Sequence, residues 1–219
     1  MLAFSSDVDI LKYEAVLFGD LHFPWQVLCE GAGGEVSGTT FSETSEDFVS
    51  AGVGAGGVIY LQSLDGKLDG AYEIVSVDSA TELTVSVLRA DGEGSAVGPG
   101  DASDVSYRVS TFGPQANEVG FGLTQYFGIR PGNPDSEYDA SDILDTSVLR
   151  QASVYAVLAS VYATLGSRAG GDDNFWKKSL HYQKLFEKAK ERCRLSIDIN
   201  DDGISDRMNV GGSIRLVRD

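Results

Sequence analysis

Apolar residues crowd every side of the stretch from Val148 to Leu165, where only Arg150, Gln151, Ser153, Ser160 and Thr164 interrupt them. A helix apolar on all sides is buried on all sides. Phe175, Tyr182, Phe186, Ala189 and Cys193 follow at spacings of 7, 4, 3 and 4, one face of an amphipathic helix running to about Ser196. The two segments predict a helical pair within residues 142–197. Gly166 is placed to supply the left-handed C-cap of the first helix, and Asp172 or Asp173 the N-cap of the second.

The texture differs before the pair. From Gly31 to Pro114 the apolar residues alternate with polar ones and glycine is frequent. Val58–Tyr60, Tyr72–Val77, Leu83–Leu88 and Val105–Val109 read as strands, with Glu35–Thr40 as a further candidate. Asp65-Gly66, Asp69-Gly70 and Asp78–Thr81 punctuate them as turns. Asp91–Asp104 reads as a long exposed loop. Ser6-Asp7-Val8-Asp9 has the chemistry of a helix start, so a helix is predicted over about Asp7–Phe18. Leu21–Cys29 reads as a connector. A further helix is predicted over Asn117–Ile129, ended by Arg130-Pro131-Gly132-Asn133-Pro134. An acidic turn, Asp198–Asp206, and a terminal strand, Ser213–Val217, close the chain. The expected class is α+β: a C-terminal helical bundle core with an N-terminal helix, carrying an inserted small antiparallel β-barrel or sandwich, plus a C-terminal strand. The expected divisions are 1–30, 31–114 and 115–219.

Charge changes this picture by its distribution. Residues 1–145 hold 24 acidic and 5 basic side chains, whereas residues 146–219 hold 9 and 12. The acidic part repels phosphates, which argues against sequence-specific DNA binding. Cys29 and Cys193 lack metal-ligand spacing and read as free thiols in a reducing compartment or as packing residues. The opening MLAFSSDVDI has neither a basic segment nor a long apolar run, so no signal peptide is expected. The Val148–Leu165 run approaches membrane-spanning length, yet Arg150, Gln151 and the short hairpin favour a buried bundle helix, and no membrane partner is expected.

Two motifs carry candidate chemistry. Asp198, Asn200, Asp202, Gly203 and Asp206 occupy positions 1, 3, 5, 6 and 9 of a calcium loop. Position 12 is Asn209, not the bidentate glutamate of that motif, so an Asx-rich turn is the stronger reading and calcium the weaker one. Lys177, His181, Lys184, Lys188 and Arg192 share one helix face opposite the apolar stripe. They form either a docking surface or a solvated face moderated by Glu187 and Glu191. Gly52–Gly57 lacks the Lys-Ser/Thr and following helix of a phosphate loop. Neither His22 nor His181 has both a Ser or Cys and a carboxylate immediately beside it in the sequence, as a histidine-based triad would need, and no enzyme activity is expected.

The apolar helix over Ala152–Leu165, the loop to Trp176, the Tyr182-x-x-x-Phe186-x-x-Ala189 helix and the turn Ile197-Asp198-x-Asn200-Asp-Asp202-Gly203 with Asp206 resemble the head–tail connector (adaptor) proteins of tailed bacteriophages. The Gly56-Gly57-Val58-Ile59 and Asp69–Ile74 segments are similar to small barrels of phage structural proteins. The resemblance implies a structural virion protein without cofactor. It implies a homo-oligomeric ring, a dodecamer in the family, between the portal protein above and a tail or stopper protein below. DNA would pass through the lumen non-specifically. Localisation would be the virion neck, with host cytoplasm during assembly. Lys177, His181, Lys184, Lys188, Arg192 and the strand residues Ile214, Leu216 and Val217 are the implied interface candidates. A second expectation is a surface or glycan-binding module built on the β segment.

Overall fold

The computed structural model describes residues 2–129, 138–168 and 173–210. It is mixed helix and strand, and it divides into two compact units: residues 6–112, and residues 1–5 with 113–219.

The first unit is a closed antiparallel barrel. Its six strands are β1 (Val27–Ser37), β2 (Thr40–Ser42), β3 (Val58–Ser63), β4 (Asp69–Val77), β5 (Glu82–Ser86) and β6 (Ala102–Ser110), ordered β1-β2-β5-β4-β3-β6. Closure removes exposed strand edges. The interior is filled by Phe41, Phe48 and Tyr107, with ring centroids 5.1–6.0 Å apart, and by Ile59, Leu61, Ile74, Leu83, Val85, Val105 and Val109. β1 is a strand from Val27 that no alternation announces. Gly31 and Gly34 lie against Tyr107 and Phe41, where an added Cβ would sit 2.8 and 2.5 Å from the rings. Glycine there makes room for the aromatic core and bulges the strand against β6. The turn at Asp65-Gly66 is as expected, with Gly66 at φ 72°.

Residues 6–30 belong to this unit rather than forming a division of their own. Helix α1 spans only Asp7–Leu11, opened by a capping box between Ser6 and Asp9. A continued helix would carry Glu14 on the buried stripe of Ile10, Leu11, Leu17 and Phe18; the chain turns instead and resumes as a 3₁₀ turn, Ala15–Leu17. Phe18 and Phe23 then pack edge-on against Phe112, just past β6. The half-buried carboxylate of Asp7 accepts the Phe112 N–H at 2.7 Å. The start and finish of the barrel unit are thus fastened to each other.

The second unit contains α2 (Gly113–Tyr126), α3 (Arg150–Arg168) and α4 (Asp173–Arg192), followed by a β-hairpin of β7 (Arg194–Ile197) and β8 (Arg207–Val210). α3 and α4 are antiparallel. Tyr162 stacks on Tyr182 and Phe175, and the Ser179 hydroxyl donates to the Ala159 carbonyl. Ala152, Val154, Val157, Leu158, Val161 and Tyr162 are buried, while Tyr155, Ala156, Ala159 and Ala163 remain half-covered. The stretch Thr146–Ser167 is long and apolar enough to cross a membrane by length and composition, with half of its most apolar window buried inside the protein.

Two expectations fail here for local reasons. Gly166 is not a C-cap: α3 continues to Arg168, and Gly166 lets the Trp176 ring approach to 3.2 Å of where a Cβ would stand. The helix predicted to Ser196 stops at Arg192, because Leu195 and Ile197 alternate into the core as strand residues, and Leu144 N–H and Asp198 N–H bond the chain to Ser196 and Asp142 carbonyls. The terminal strand expected at Ser213–Val217, with Ile214, Leu216 and Val217, lies outside the described residues.

Candidate functional site

The basic stripe forms as its spacing predicts. Lys177, His181, Lys184, Lys188 and Arg192 are all exposed on α4, opposite the buried Tyr182, Ala189 and Cys193. Two other lysines of α4 lie against aromatic rings. Lys178 donates to the Tyr162 hydroxyl at 3.0 Å and sits 4.7 Å from its ring centroid. Lys190 lies over Tyr126 and Phe186 and pairs with Glu187 at 2.7 Å. A cation over an aromatic face is attracted by the ring quadrupole, so these two serve packing. Beside the stripe, Trp176 and Leu180 are 44% and 54% exposed.

The acidic turn is a cage for its own backbone. Asp198 is buried, and its Oδ1 accepts the N–H groups of Asn200 and Asp202 while Oδ2 accepts that of Gly203 at 2.7 Å. Asn200 Oδ1 takes the Asp202 N–H, Asp202 Oδ1 the Ile204 N–H, and Asp206 Oδ2 the Ile199 N–H. Asp201 and Gly203 stand at φ 58° and 79°, the left-handed bends that bring these amides inward. The Asp206 N–H closes the loop on the Ile197 carbonyl and sets the β7–β8 pairing. Among the described residues, no three His, Cys, Asp or Glu side chains converge to hold a metal ion.

The barrel carries two open grooves that no sequence spacing announces, because their walls come from distant strands. One, of about 510 Å³, is lined by Glu30, Gly31, Tyr60, Gln62, Tyr107 and Arg108 among others. Arg108 lies over the Tyr60 ring and donates to the carbonyls of Phe18 and Gly19, and the Tyr60 hydroxyl donates to Asp69 at 2.5 Å. That hydrogen bond pushes the Tyr60 phenol up to about 12, with burial and the Asp69 charge adding to it. The other groove, of about 550 Å³, lies between β1, the β3–β4 turn and the start of β6. Glu35, Asp65, Asp101 and Asp104 line it, and its one cation among the described residues, Lys67, pairs with Asp65 at 2.7 Å. Leu64 stands at its lip, 90% exposed.

The long loop after β5 is tied down. Arg89 forms a two-point contact with the buried carboxylate of Glu73, at 2.7 and 3.2 Å, and donates to the Gly94 carbonyl. The two cysteines are buried free thiols in different units. Burial pushes Cys29 up to about 12, and it raises Cys193, whose Sγ lies 3.2 Å from the Val148 carbonyl. His22 contacts the Gly19 carbonyl and His181 lies edge-on to Tyr182. Comparison with protein-family models, with curated proteins and with solved structures gives no match.

Proposed function

We propose that this protein is a structural adaptor of a tailed-phage virion, a ring-forming connector between the portal and a tail or stopper protein. The observation that carries the reading is the α3–α4 hairpin followed, after the short β7, by the caged acidic turn, since the helix pair and that turn are the segments on which the resemblance to head–tail connectors rests. In this reading the helical unit is the core of the assembly and the barrel is an insertion carried on it. The half-covered Tyr155, Ala156, Ala159 and Ala163 stripe supports contacts between neighbouring subunits, and the exposed α4 face supports docking. An acidic barrel keeps the ring from clinging to DNA in its lumen. Negative-stain imaging of the purified protein, alone and with portal, tests it. Rings or portal-capped particles are expected; failure of both across salt conditions overturns the reading.

One observation favours a second role for the barrel. The Tyr60–Tyr107–Arg108 groove joins aromatic faces to Glu30 and Gln62, the combination of stacking surface and polar groups that small ligands such as sugars use. Binding to a glycan array that is lost in Tyr60→Ala supports it, and silence of the array removes it.

A further inference from the structure

The two units differ sharply in charge. Residues 6–112 hold 18 acidic and 4 basic side chains, while the remainder holds 15 and 13. Four of the basic ones lie together on one solvent-facing side of a helix. Lys177, Lys184, Lys188 and Arg192 line one side of α4, with Leu180 beside them. The groove below the β3–β4 turn offers the complement, with four carboxylates against one paired lysine and the exposed Leu64 at its edge. At about 550 Å³ it accepts side chains, not a whole helix. The α4 face presents side-chain ends of that size: three lysines, Arg192, His181 and the exposed Leu180.

We infer that copies of this chain join head to tail, the basic α4 face of one docking on the acid-lined barrel groove of the next. Two different surfaces meeting in this way make a heterologous contact, which repeats until a ring closes or a filament grows. Each copy then offers one donor face and one acceptor face, and opposite charge sets both the partner and its orientation. The inference deepens the ring reading and rests on it for closure; the contact itself is carried by charge and by the paired apolar residues Leu180 and Leu64.

Sedimentation velocity of the full chain at about 50 mM and about 500 mM salt is the test, since exposed charge pairs are screened at the higher concentration. Association is expected at low salt and reduced at high salt. Lys184→Glu with Lys188→Glu, and separately Glu35→Lys with Asp101→Lys, should each weaken association about tenfold while the far-UV circular dichroism stays unchanged. Mixing the two variants should restore it, because the reversed helix meets the reversed groove. A monomer at every salt and concentration, or a mixture no better than either variant alone, overturns the inference. Rings that ignore both reversals remove this contact and leave the adaptor reading intact. Salt-sensitive, mixture-rescued association in a protein that never joins portal keeps this contact and removes the adaptor reading.

Discussion

The barrel and the helical unit bury their cores by different means. In the barrel, side chains from six strands meet inside a closed cylinder, and glycine at Gly31 and Gly34 is as necessary as the Phe41 and Tyr107 rings that fill the space it leaves. In the helical unit, a periodic stripe packs against a periodic stripe, and glycine at Gly166 only admits a ring that is itself half-exposed. Space in a barrel is shared by distant residues. Space between two helices is set by the periodic faces that each presents.

Substitutions can break that contrast, and the largest effect belongs to the barrel interior. Phe41→Ala should cost about 3–5 kcal/mol, because a fully buried ring is lost and the closed sheet cannot collapse onto the void. Urea unfolding followed by Trp25 fluorescence in a Trp176→Phe background should show the loss in the barrel transition, with the helical far-UV transition retained. A single shared transition for both signals would show the units to be one cooperative block.

The next effect depends on pH. Burial pushes the Asp7 carboxyl up to about 6, against the hydrogen bonds from Phe112 and Thr111 that pull it down. A carboxyl raised in the folded state stabilises the protonated fold: that stability is fully present below its ordinary value near 3.8 and is lost as pH rises through about 6. The swing is at most about 3 kcal/mol. Asp7→Asn keeps an acceptor for the Phe112 N–H and cannot ionise, so its stability relative to wild type should increase between pH 4 and pH 7. Parallel pH profiles for the two proteins would contradict this.

In the helical unit, Asp198→Ala removes the acceptor of three backbone N–H groups and should cost about 1–3 kcal/mol by thermal denaturation. A Tm unchanged within error would mean that the turn holds its shape without the carboxylate. The sharpest comparison is the smallest. Gly34→Ala forces a Cβ to 2.5 Å from the Phe41 ring and should destabilise by about 1–3 kcal/mol. Gly166→Ala meets the outward-facing Trp176 ring at 3.2 Å while gaining about 1 kcal/mol of helix propensity, so it should be neutral or mildly stabilising. Equal losses at the two glycines would erase the distinction between the units.

The same distinction explains what could be read from the sequence. The α3–α4 pair was legible because a helix announces its buried face within a few residues. Its end was misplaced because Cys193 and Ile197, four apart, extend the helical stripe as well as Leu195 and Ile197 make a strand. The Asp65-Gly66 and Asp78–Thr81 turns were legible through residue chemistry. β1 was partly hidden, since Gly31–Gly34 carry no alternation and are explained only by rings on β2 and β6. The basic stripe appeared from spacing alone. Neither barrel groove is legible in the sequence, because Glu35, Asp65 and Asp104 share a wall only after the sheet closes.

The bond from the Phe112 N–H to Asp7 reaches beyond stability. It brings together the two places where the chain leaves and rejoins the remainder, at residues 5–6 and 112–113. With its ends clasped at one point, the barrel unit closes its own loop of chain using residues of its own.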